Sequence, residues 1–412
     1  MRWLAAALTA AALTAAPPAA AAATASRDAA APASARHAAA PASARQGAAR
    51  PPISLGTGDS ASVIVDAAGT GHIAFDSGAG STYCRLPRKA TACDVRTFLP
   101  LDGAGRPRIF ELANGALALF AGADGAGYLR TSADRGATWS APIAITNSEP
   151  ASAVLRPDGA GLFTVGYGTD IVNLRNAPFA GGETRALNLL FGDDSPSSAD
   201  LAALPDGRIV VIFGGGERVR WRVFGGGDPY DINAWAKSGV VGGVDDAELV
   251  SGPRGTYLFE HRSLAAQRTG SFAAPFALRS LDTRRLRWRR ARTFAADRSI
   301  FGTSTAIQDP RGRIHVIADT GGAGITECVL YTRTGPRRSS WFGKTTVLFR
   351  TNDSGRAPVF SRVGANRDGR GFAVWQDDGG EVWAIPLRQA RGKYRPRADQ
   401  NERPACVGRT YS

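Results

Sequence analysis

The sequence predicts an all-β protein, and its composition, its turn residues and an internal repeat each point to this fold class. The 412 residues include 49 glycines and 24 prolines, which is typical of many short strands joined by turns. Hydrophobic residues make up 43% of the chain, which is enough for a large core. A chain of this length forms one large β-domain or two modest domains.

A paired-strand unit recurs seven times along the chain. In each copy an apolar strand leads into a turn with glycine, and a second apolar strand follows. The turn glycines are separated by 46, 44, 48, 48, 57 and 57 residues, which is the size of one four-stranded propeller blade. The repeat therefore predicts a seven-bladed β-propeller over residues 51–390, or a six-bladed one if the first or last copy is irregular. The turn glycines are Gly69, Gly115, Gly159, Gly207, Gly255, Gly312 and Gly369.

The first 50 residues have the features of an export signal followed by a linker. Arg2 precedes an apolar run over 4–16, and the small residues 23–25 form a candidate cleavage site, so residues 1–25 are predicted to be a signal peptide. The apolar run is too short to span a bilayer. Residues 26–50 contain mainly Ala, Pro, Ser and Arg, which predicts a disordered linker. We therefore expect a secreted protein with no membrane span.

The four cysteines fit two disulfides in an oxidising compartment. Cys84 and Cys93 are close enough to staple one hairpin. Cys328 and Cys406 would then tie the C-terminal tail, residues 391–412, to a distant strand. The alternative, a zinc site, lacks a CxxC pair.

The net charge of +14 comes mostly from arginine, since only four of the 50 basic residues are lysine. The arginines are spread evenly, so we expect no nucleic-acid partner, although an anionic partner remains the alternative. The run Arg285-Leu286-Arg287-Trp288-Arg289 alternates charged and apolar residues. We interpret it as an outer strand protected against edge-to-edge pairing.

One segment of the second repeat carries a family signature. The residues from Ser132 to Trp139 read Ser-Ala-Asp-Arg-Gly-Ala-Thr-Trp, which resembles the Asp-box, or BNR repeat, of the sialidase (neuraminidase) superfamily. Asp134 would accept turn NH groups, Gly136 would permit the reversal, and Trp139 would pack on a neighbouring strand. The resemblance implies a propeller fold. In that family the box is structural and lies opposite the active site, so it supports fold more than function.

The resemblance also defines what a sialidase site would need: three arginines for a carboxylate, a tyrosine nucleophile assisted by a glutamate, and an aspartic acid as proton donor. No tyrosine enters a predicted inner strand, so the covalent mechanism lacks an obvious nucleophile. The first candidate arginine stands in Arg-Ile-Phe, where the family has Arg-Ile-Pro. The candidates for the other parts are Arg108, Arg262 and Arg362 (or Arg356) as arginines, Glu248 as the glutamate and Asp124 as the acid.

Every repeat also places a carboxylate within five residues of its second strand, near the expected channel mouth. Such a rim would suit an amine-bearing ligand or a calcium ion, and the alternative is that these are ordinary loop residues. We expect no other cofactor. The rim residues are Asp76, Asp124, Asp170, Glu217, Glu260, Asp319 and Asp377.

These features predict an exported, monomeric propeller that acts as a binding module for extracellular glycans. The alternative is an exo-acting glycoside hydrolase of the sialidase class. A third class is a structural envelope protein that uses the propeller as a rigid platform.

Overall fold

The computed structural model describes residues 51–103, 105–112, 114–146, 150–155, 161–166, 170–175, 187–188, 198–215, 218–228, 230–235, 237–262, 276–293, 304–320, 328–334, 346–350 and 358–387. The predicted signal peptide, linker and C-terminal tail lie outside the described residues and stay predictions.

The described residues form seven antiparallel sheets and one 3-10 turn, Ile232–Trp235. Strand β1 is Ile53–Thr57. The first sheet contains β2 (Asp59–Val65), β3 (Gly71–Asp76), β4 (Gly80–Leu86) and β5 (Val95–Pro100), and the second contains β6 (Gly105–Glu111), β7 (Leu117–Ala123), β8 (Ala126–Ser132) and β9 (Ile143–Thr146). The third contains β10 (Pro150–Leu155), β11 (Gly161–Gly166), β12 (Asp170–Arg175) and β13 (Leu187–Asn188), and the fourth contains β14 (Ser198–Ala203), β15 (Ile209–Gly215), β16 (Arg218–Phe224) and β17 (Lys237–Gly242).

The remaining sheets follow the same order of strands. The fifth contains β18 (Val244–Gly252), β19 (Gly255–Arg262), β20 (Phe276–Asp282), β21 (Arg287–Trp288) and β22 (Arg292–Thr293), and β21 and β22 both pair with β20. The sixth contains β23 (Ser304–Gln308), β24 (Ile314–Thr320), β25 (Cys328–Arg333) and β26 (Thr346–Arg350). The seventh contains β27 (Pro358–Ala365), β28 (Gly371–Asp377) and β29 (Glu381–Pro386), with β1 as its fourth strand.

The predicted hairpin repeat is confirmed in these sheets. In the fourth sheet Gly207 takes a φ of 86°, which a Cβ would disfavour. The NH of Leu204 donates to the carbonyl of Arg208 over 2.7 Å, and the NH of Gly207 donates to that of Leu204 over 3.0 Å. The same pair of hydrogen bonds closes the turns at Gly69, Gly115, Gly312 and Gly369. The protein is therefore all-β, with repeated four-stranded antiparallel sheets in a propeller-like arrangement.

The core lies between neighbouring sheets. Strand β7 is buried along its whole length, which explains its unbroken apolar sequence, Leu-Ala-Leu-Phe-Ala-Gly-Ala. One cluster joins the first and seventh sheets, where Phe75 packs with Phe372 and Leu55. Strand β1 is therefore part of the seventh sheet both through its hydrogen-bonded pairing with β29 and through the packing of its apolar side chains.

The first strands of the seven sheets contact one another in sequence order. Strand β6 contacts β2 and β10, the series continues through β14, β18 and β23, and β27 contacts both β23 and β2. Each first strand therefore lies beside the first strands of the sheets before and after it.

Two buried histidines each contact a tyrosine hydroxyl on the neighbouring strand of their sheet. His315 Nδ1 lies 2.8 Å from the Tyr331 hydroxyl, and its Nε2 lies 3.0 Å from Asp309 Oδ2. His72 makes the corresponding contact with the Tyr83 hydroxyl over 2.8 Å. Burial lowers the pKa of both histidines, so they are neutral at pH 7.

The predicted disulfide between Cys84 and Cys93 is confirmed, and it joins β4 to the segment before β5. Cys328 in β25 is buried and also disulfide-bonded. Its predicted partner Cys406 lies outside the described residues. In the described ranges no helix has the length and apolarity needed to cross a bilayer.

Candidate functional site

Each first strand carries a polar residue seven positions before its turn glycine, and these seven residues form the candidate site. The spacing is the same in every repeat. All seven lie in β-strands that contact the corresponding strand of the next sheet. We call these residues the polar set. They are Ser62, Arg108, Ser152, Asp200, Glu248, Thr305 and Arg362.

Hydrogen bonds show that members of the polar set occupy equivalent places. Ser62 Oγ accepts from the NH of Ile109 over 3.2 Å, and Asp200 Oδ2 accepts from the NH of Leu249 over 2.7 Å. In both cases the donor follows the polar-set residue of the next sheet. Glu248 Oε2 accepts from the NH of Ala306 in the same way, over 3.4 Å. The side chains therefore link consecutive first strands.

Asp200 is the most constrained carboxylate of the polar set. Besides Leu249 NH, it accepts from the Ser152 hydroxyl over 2.5 Å and from the NH of Leu201 over 2.8 Å. Burial raises the pKa of Asp200 to about 6, against the opposing effect of these hydrogen bonds, and the nearby Glu248 adds to the increase. Asp200 therefore changes its charge near neutral pH.

Two arginines lie close to these carboxylates. Arg362 Nη1 is 4.0 Å from Glu248 Oε1, and each of the two side chains is about one quarter exposed. Burial and the charge of Arg362 lower the pKa of Arg108 to about 10, while Asp200 and Glu248 favour its charged form. Arg108 forms no ion pair within 4.0 Å with any other described residue. The site thus combines two carboxylates with two arginines that repel each other.

Three first strands carry the same bulge beside the polar set. Ser60, Arg106 and Phe360 have left-handed φ values of 49°, 46° and 52°, and each stands two residues before a member of the set. The strand register shifts at all three places. Bulges of this kind re-aim side chains and are common near functional sites. Arg106 is exposed and adds positive charge near Arg108, and Phe360 is 46% exposed.

The structure brings together three of the hydrolase candidates, Arg108, Glu248 and Arg362. Asp124 is exposed in the turn between β7 and β8, and no contact joins it to those three. Arg262 ends β19, but its side chain is not described. The alternative third arginine, Arg356, lies outside the described residues.

The rim carboxylates do not form one free ring among the described residues. Glu260 is buried and paired with Arg279, and Asp319 is buried and accepts from the Ser361 hydroxyl over 2.9 Å. Asp377 accepts from the indole NH of Trp383 over 3.0 Å.

The other rim residues differ from these three. Burial raises the pKa of Asp76, at the end of β3. Asp170 begins β12 and its side chain is not described, and Glu217 lies outside the described residues. Over the described ranges, no three His, Cys, Asp or Glu side chains are grouped so that they could hold a metal ion.

The segment that resembles an Asp-box forms a compact turn between β8 and β9. Asp134 accepts from the NH and the hydroxyl of Thr138 over 2.8 and 2.6 Å, and the NH of Gly136 donates to the Ser132 hydroxyl over 2.7 Å. Trp139 packs edge-on against Tyr83 at 5.1 Å. Ser132, where this turn begins, pairs with Leu117, the first residue of β7. The turn therefore lies at the opposite end of the second sheet from the bulge at the beginning of β6. Through the contact between Trp139 and Tyr83, this turn of the second sheet packs against the first sheet.

Glu248, which the sequence predicted as a candidate, stands seven residues before its turn glycine Gly255. The same spacing would have found Ser62, Ser152, Asp200 and Thr305 without any structure. The three bulges could not be found in this way, because Ser, Arg and Phe are not residues that favour a left-handed conformation.

The comparisons with known proteins support the fold of this chain and give no information on its function. No family profile matches the chain, and no curated protein matches it. One similar structure is that of catalytically inactive virginiamycin B lyase from Staphylococcus aureus with quinupristin, and this lyase has a propeller-type fold. The two structures have a TM-score of 0.50 and 10% sequence identity, and the match covers 82% of this chain and 99% of the lyase chain. A protein of unknown function from Dyadobacter fermentans has a TM-score of 0.46 and 13% identity, covering 66% and 94%. The chain thus belongs to the class of all-β, propeller-like proteins.

Proposed function

We propose that this protein is a secreted, sialidase-like, seven-bladed β-propeller that binds acidic glycans at the polar set. The observation that carries the proposal is the combination of Arg108 and Arg362 with Asp200 and Glu248 on neighbouring first strands. Secretion rests on the export signal of the sequence. The turn that resembles an Asp-box, between β8 and β9 of the second sheet, supports the sialidase-like class.

Seven blades are supported over six by the sheets themselves. The described residues contain seven sheets, and the first strand of each contacts those before and after it. Strand β1 pairs with β29, with Ile53 opposite Ala384. In a propeller this shared sheet would join the two ends of the chain and close the ring.

An acid group on the ligand would relieve the repulsion between the two arginines. A guanidinium holds a carboxylate with two parallel hydrogen bonds, and Arg108 has no counter-ion of its own among the described residues. Arg106, on the same strand, adds to the positive charge. A bound carboxylate would therefore raise the lowered pKa of Arg108 towards its usual value.

A sugar ring would match the rest of the site. Glu248 and Asp200 are acceptors for hydroxyl groups, and binding sites combine a few such groups with apolar surface. Phe360 provides an exposed aromatic ring two residues from Arg362.

The test is calorimetric titration with two acidic sugars, N-acetylneuraminic acid and glucuronic acid, and with neutral glucose. We expect the acids to bind and glucose not to bind. Arg108→Ala should weaken binding about 10- to 100-fold, since a charge-assisted hydrogen bond contributes about 1.5–3 kcal/mol. The matched control is Arg370→Ala, an exposed arginine beside the Gly369 turn, which should leave affinity unchanged. The proposal would be refuted if Arg108→Ala and Arg370→Ala lost the same affinity for the acidic sugars, or if glucose bound as tightly as the acids.

One observation favours hydrolysis as a second candidate function. Asp200, with its pKa raised to about 6, could donate a proton near pH 6 beside the side chain of Glu248. However, the tyrosines of the described residues lie outside the first strands, so a covalent tyrosine intermediate is not supported. Turnover of a fluorogenic sialoside that disappears in Glu248→Gln would establish the hydrolase. No turnover, together with a blank glycan array, would favour a structural platform.

A further inference from the structure

A second surface of strong positive charge lies on the fifth sheet, in the turn from β20 to β21 and the residues after it. Residues 281–290 contain five exposed arginines and a single acid, Asp282. We call this surface the arginine hairpin. Its exposed arginines are Arg284, Arg285, Arg287, Arg289 and Arg290.

The arginine hairpin is held in one conformation by contacts on its inner side. Asp282 accepts from the NH of Arg285 over 3.1 Å and pairs with Arg289 over 3.3 Å. From the fourth sheet, Arg208 donates to the carbonyl of Thr283 over 2.6 Å. Because the backbone is fixed in this way, a ligand would not have to order it on binding.

The indole of Trp288 anchors the hairpin to the same neighbouring sheet. It packs edge-on against Trp221, with ring centres 6.4 Å apart. Leu286 packs against the same apolar cluster. The apolar side chains of the hairpin therefore face the protein, and its arginines face solvent.

Most of the arginines in the hairpin do not take part in ion pairs within the part of the chain that the structure describes. Among the described residues, Arg284, Arg285, Arg287 and Arg290 form no ion pair. Arg284 and Arg285 line an open groove of about 490 Å³, together with Leu281, Asp282, Thr283 and Arg289. Protection of an edge strand explains charges at Arg287 and Arg289, but it does not explain Arg284 and Arg285, which lie in the turn.

We propose that the arginine hairpin docks a chain of anionic polysaccharide. Guanidinium groups fork onto carboxylate and sulfate oxygens. Arg284, Arg285 and Arg289 line the same groove, so their guanidinium groups form a cluster that suits a polymer with a charge on each repeating unit.

The orientation of the apolar side chains favours a polysaccharide over two other polyanions. Binding of single-stranded nucleic acid relies on exposed aromatic rings on which bases stack, and Trp288 is turned inward. Docking on a bilayer relies on apolar side chains that enter the interface, and Leu286 is half-buried against the core. A polysaccharide needs neither feature.

The test uses heparin and polygalacturonate as probes with the full-length protein. We expect both to bind in a salt-sensitive manner. The triple variant Arg284→Ala, Arg285→Ala, Arg287→Ala should bind at least 10-fold more weakly. The matched control removes three exposed arginines elsewhere, Arg88→Ala, Arg218→Ala and Arg370→Ala, and should change affinity less than threefold. Thermal unfolding should show that both variants are folded, since all substituted side chains are exposed.

The outcomes separate this inference from the proposed function. Arg108→Ala should leave binding of both polymers intact, because the polar set lies on other strands. Equal losses in the two triple variants would mean that only net charge matters and would overturn the inference. Absence of binding, or tighter binding of oligo-dT or of phosphatidylserine vesicles than of either polysaccharide, would overturn it as well.

Discussion

At the scale of single residues, the site depends on where each polar side chain stands in its strand. The position seven residues before the turn glycine is polar in all seven repeats, although its neighbours in the strand are mostly apolar. That pattern is visible in the sequence. The electrostatic character of each position is not, because the pKa of Asp200 is set by its burial and by contacts from Ser152 and Leu249 in other sheets.

Asp200 should make the stability of the protein depend on pH. Its pKa is raised in the folded state from 3.8 to about 6, so between these values the folded state binds more protons than the unfolded state. The free energy of unfolding should therefore fall as pH rises from 4 to 6, by up to about 3 kcal/mol from this group. In Asp200→Asn this contribution should be absent.

Denaturant unfolding at pH 4.5 and pH 7.5 measures this effect as a difference between the two proteins. The buried histidines His72 and His315, whose lowered pKa values favour stability at higher pH, contribute equally to both and cancel. Parallel pH profiles for the wild type and Asp200→Asn would show that Asp200 ionises normally.

At the scale of strands and turns, the sequence predicts hairpins well because local chemistry determines them. The turn at Gly207 follows Pro205 and Asp206 and needs no distant contact, and it forms as predicted. The acidic rim was predicted from the same kind of pattern, but Glu260 and Asp377 have partners on the next strand of their own sheets. Whether a carboxylate near the end of a strand is free depends on such cross-strand contacts, which proximity in sequence does not reveal.

The turn over residues 132–139 offers a test of how the second sheet contacts the first. Gly136 has a φ of 88° and lies directly against the ring of Tyr83 in the first sheet, where a Cβ would overlap the ring. Gly207 has a φ of 86° and open space around it. We expect Gly207→Ala to cost about 1–2 kcal/mol from backbone strain alone, and Gly136→Ala to cost about 1–3 kcal/mol more because the ring of Tyr83 must move.

Chemical denaturation of the two variants provides the comparison. Because the φ angles are nearly equal, the difference between the variants reports the contact with Tyr83. Similar losses of stability in both would mean that the turn does not press against the first sheet in solution.

At the scale of the whole molecule, the seven sheets of the described residues match the seven turn glycines of the repeat, but the membership of β1 in one of these sheets could not be predicted. Residues 51–57 precede the first repeat and carry no turn signal of their own. Only the pairing of Ile53 with Ala384 places them in the seventh sheet. Strand pairing over such a separation leaves no local trace in the sequence.

We expect strand β1 to unfold together with the first and seventh sheets and not before them. Leu55 is 1% exposed in the cluster between the first and seventh sheets, and Leu55→Ala should cost about 2–5 kcal/mol. Thr57→Ala, an exposed change on the same strand, should cost less than about 0.5 kcal/mol.

Hydrogen exchange by mass spectrometry offers a direct measurement. The amides of β1 and β29 should be protected to the same extent and lose protection together in Leu55→Ala. Rapid exchange of β1 in the wild type, with β29 protected, would show that β1 is not an integral strand.

The partnership of β1 and β29 also has a consequence for biosynthesis. A ribosome must add more than 300 residues after β1 before its partner emerges, so the nascent chain carries an unpaired apolar strand for most of translation. Contacts between such distant segments also slow folding. The last sheet, and with it the native state, can form only once synthesis has passed residue 386.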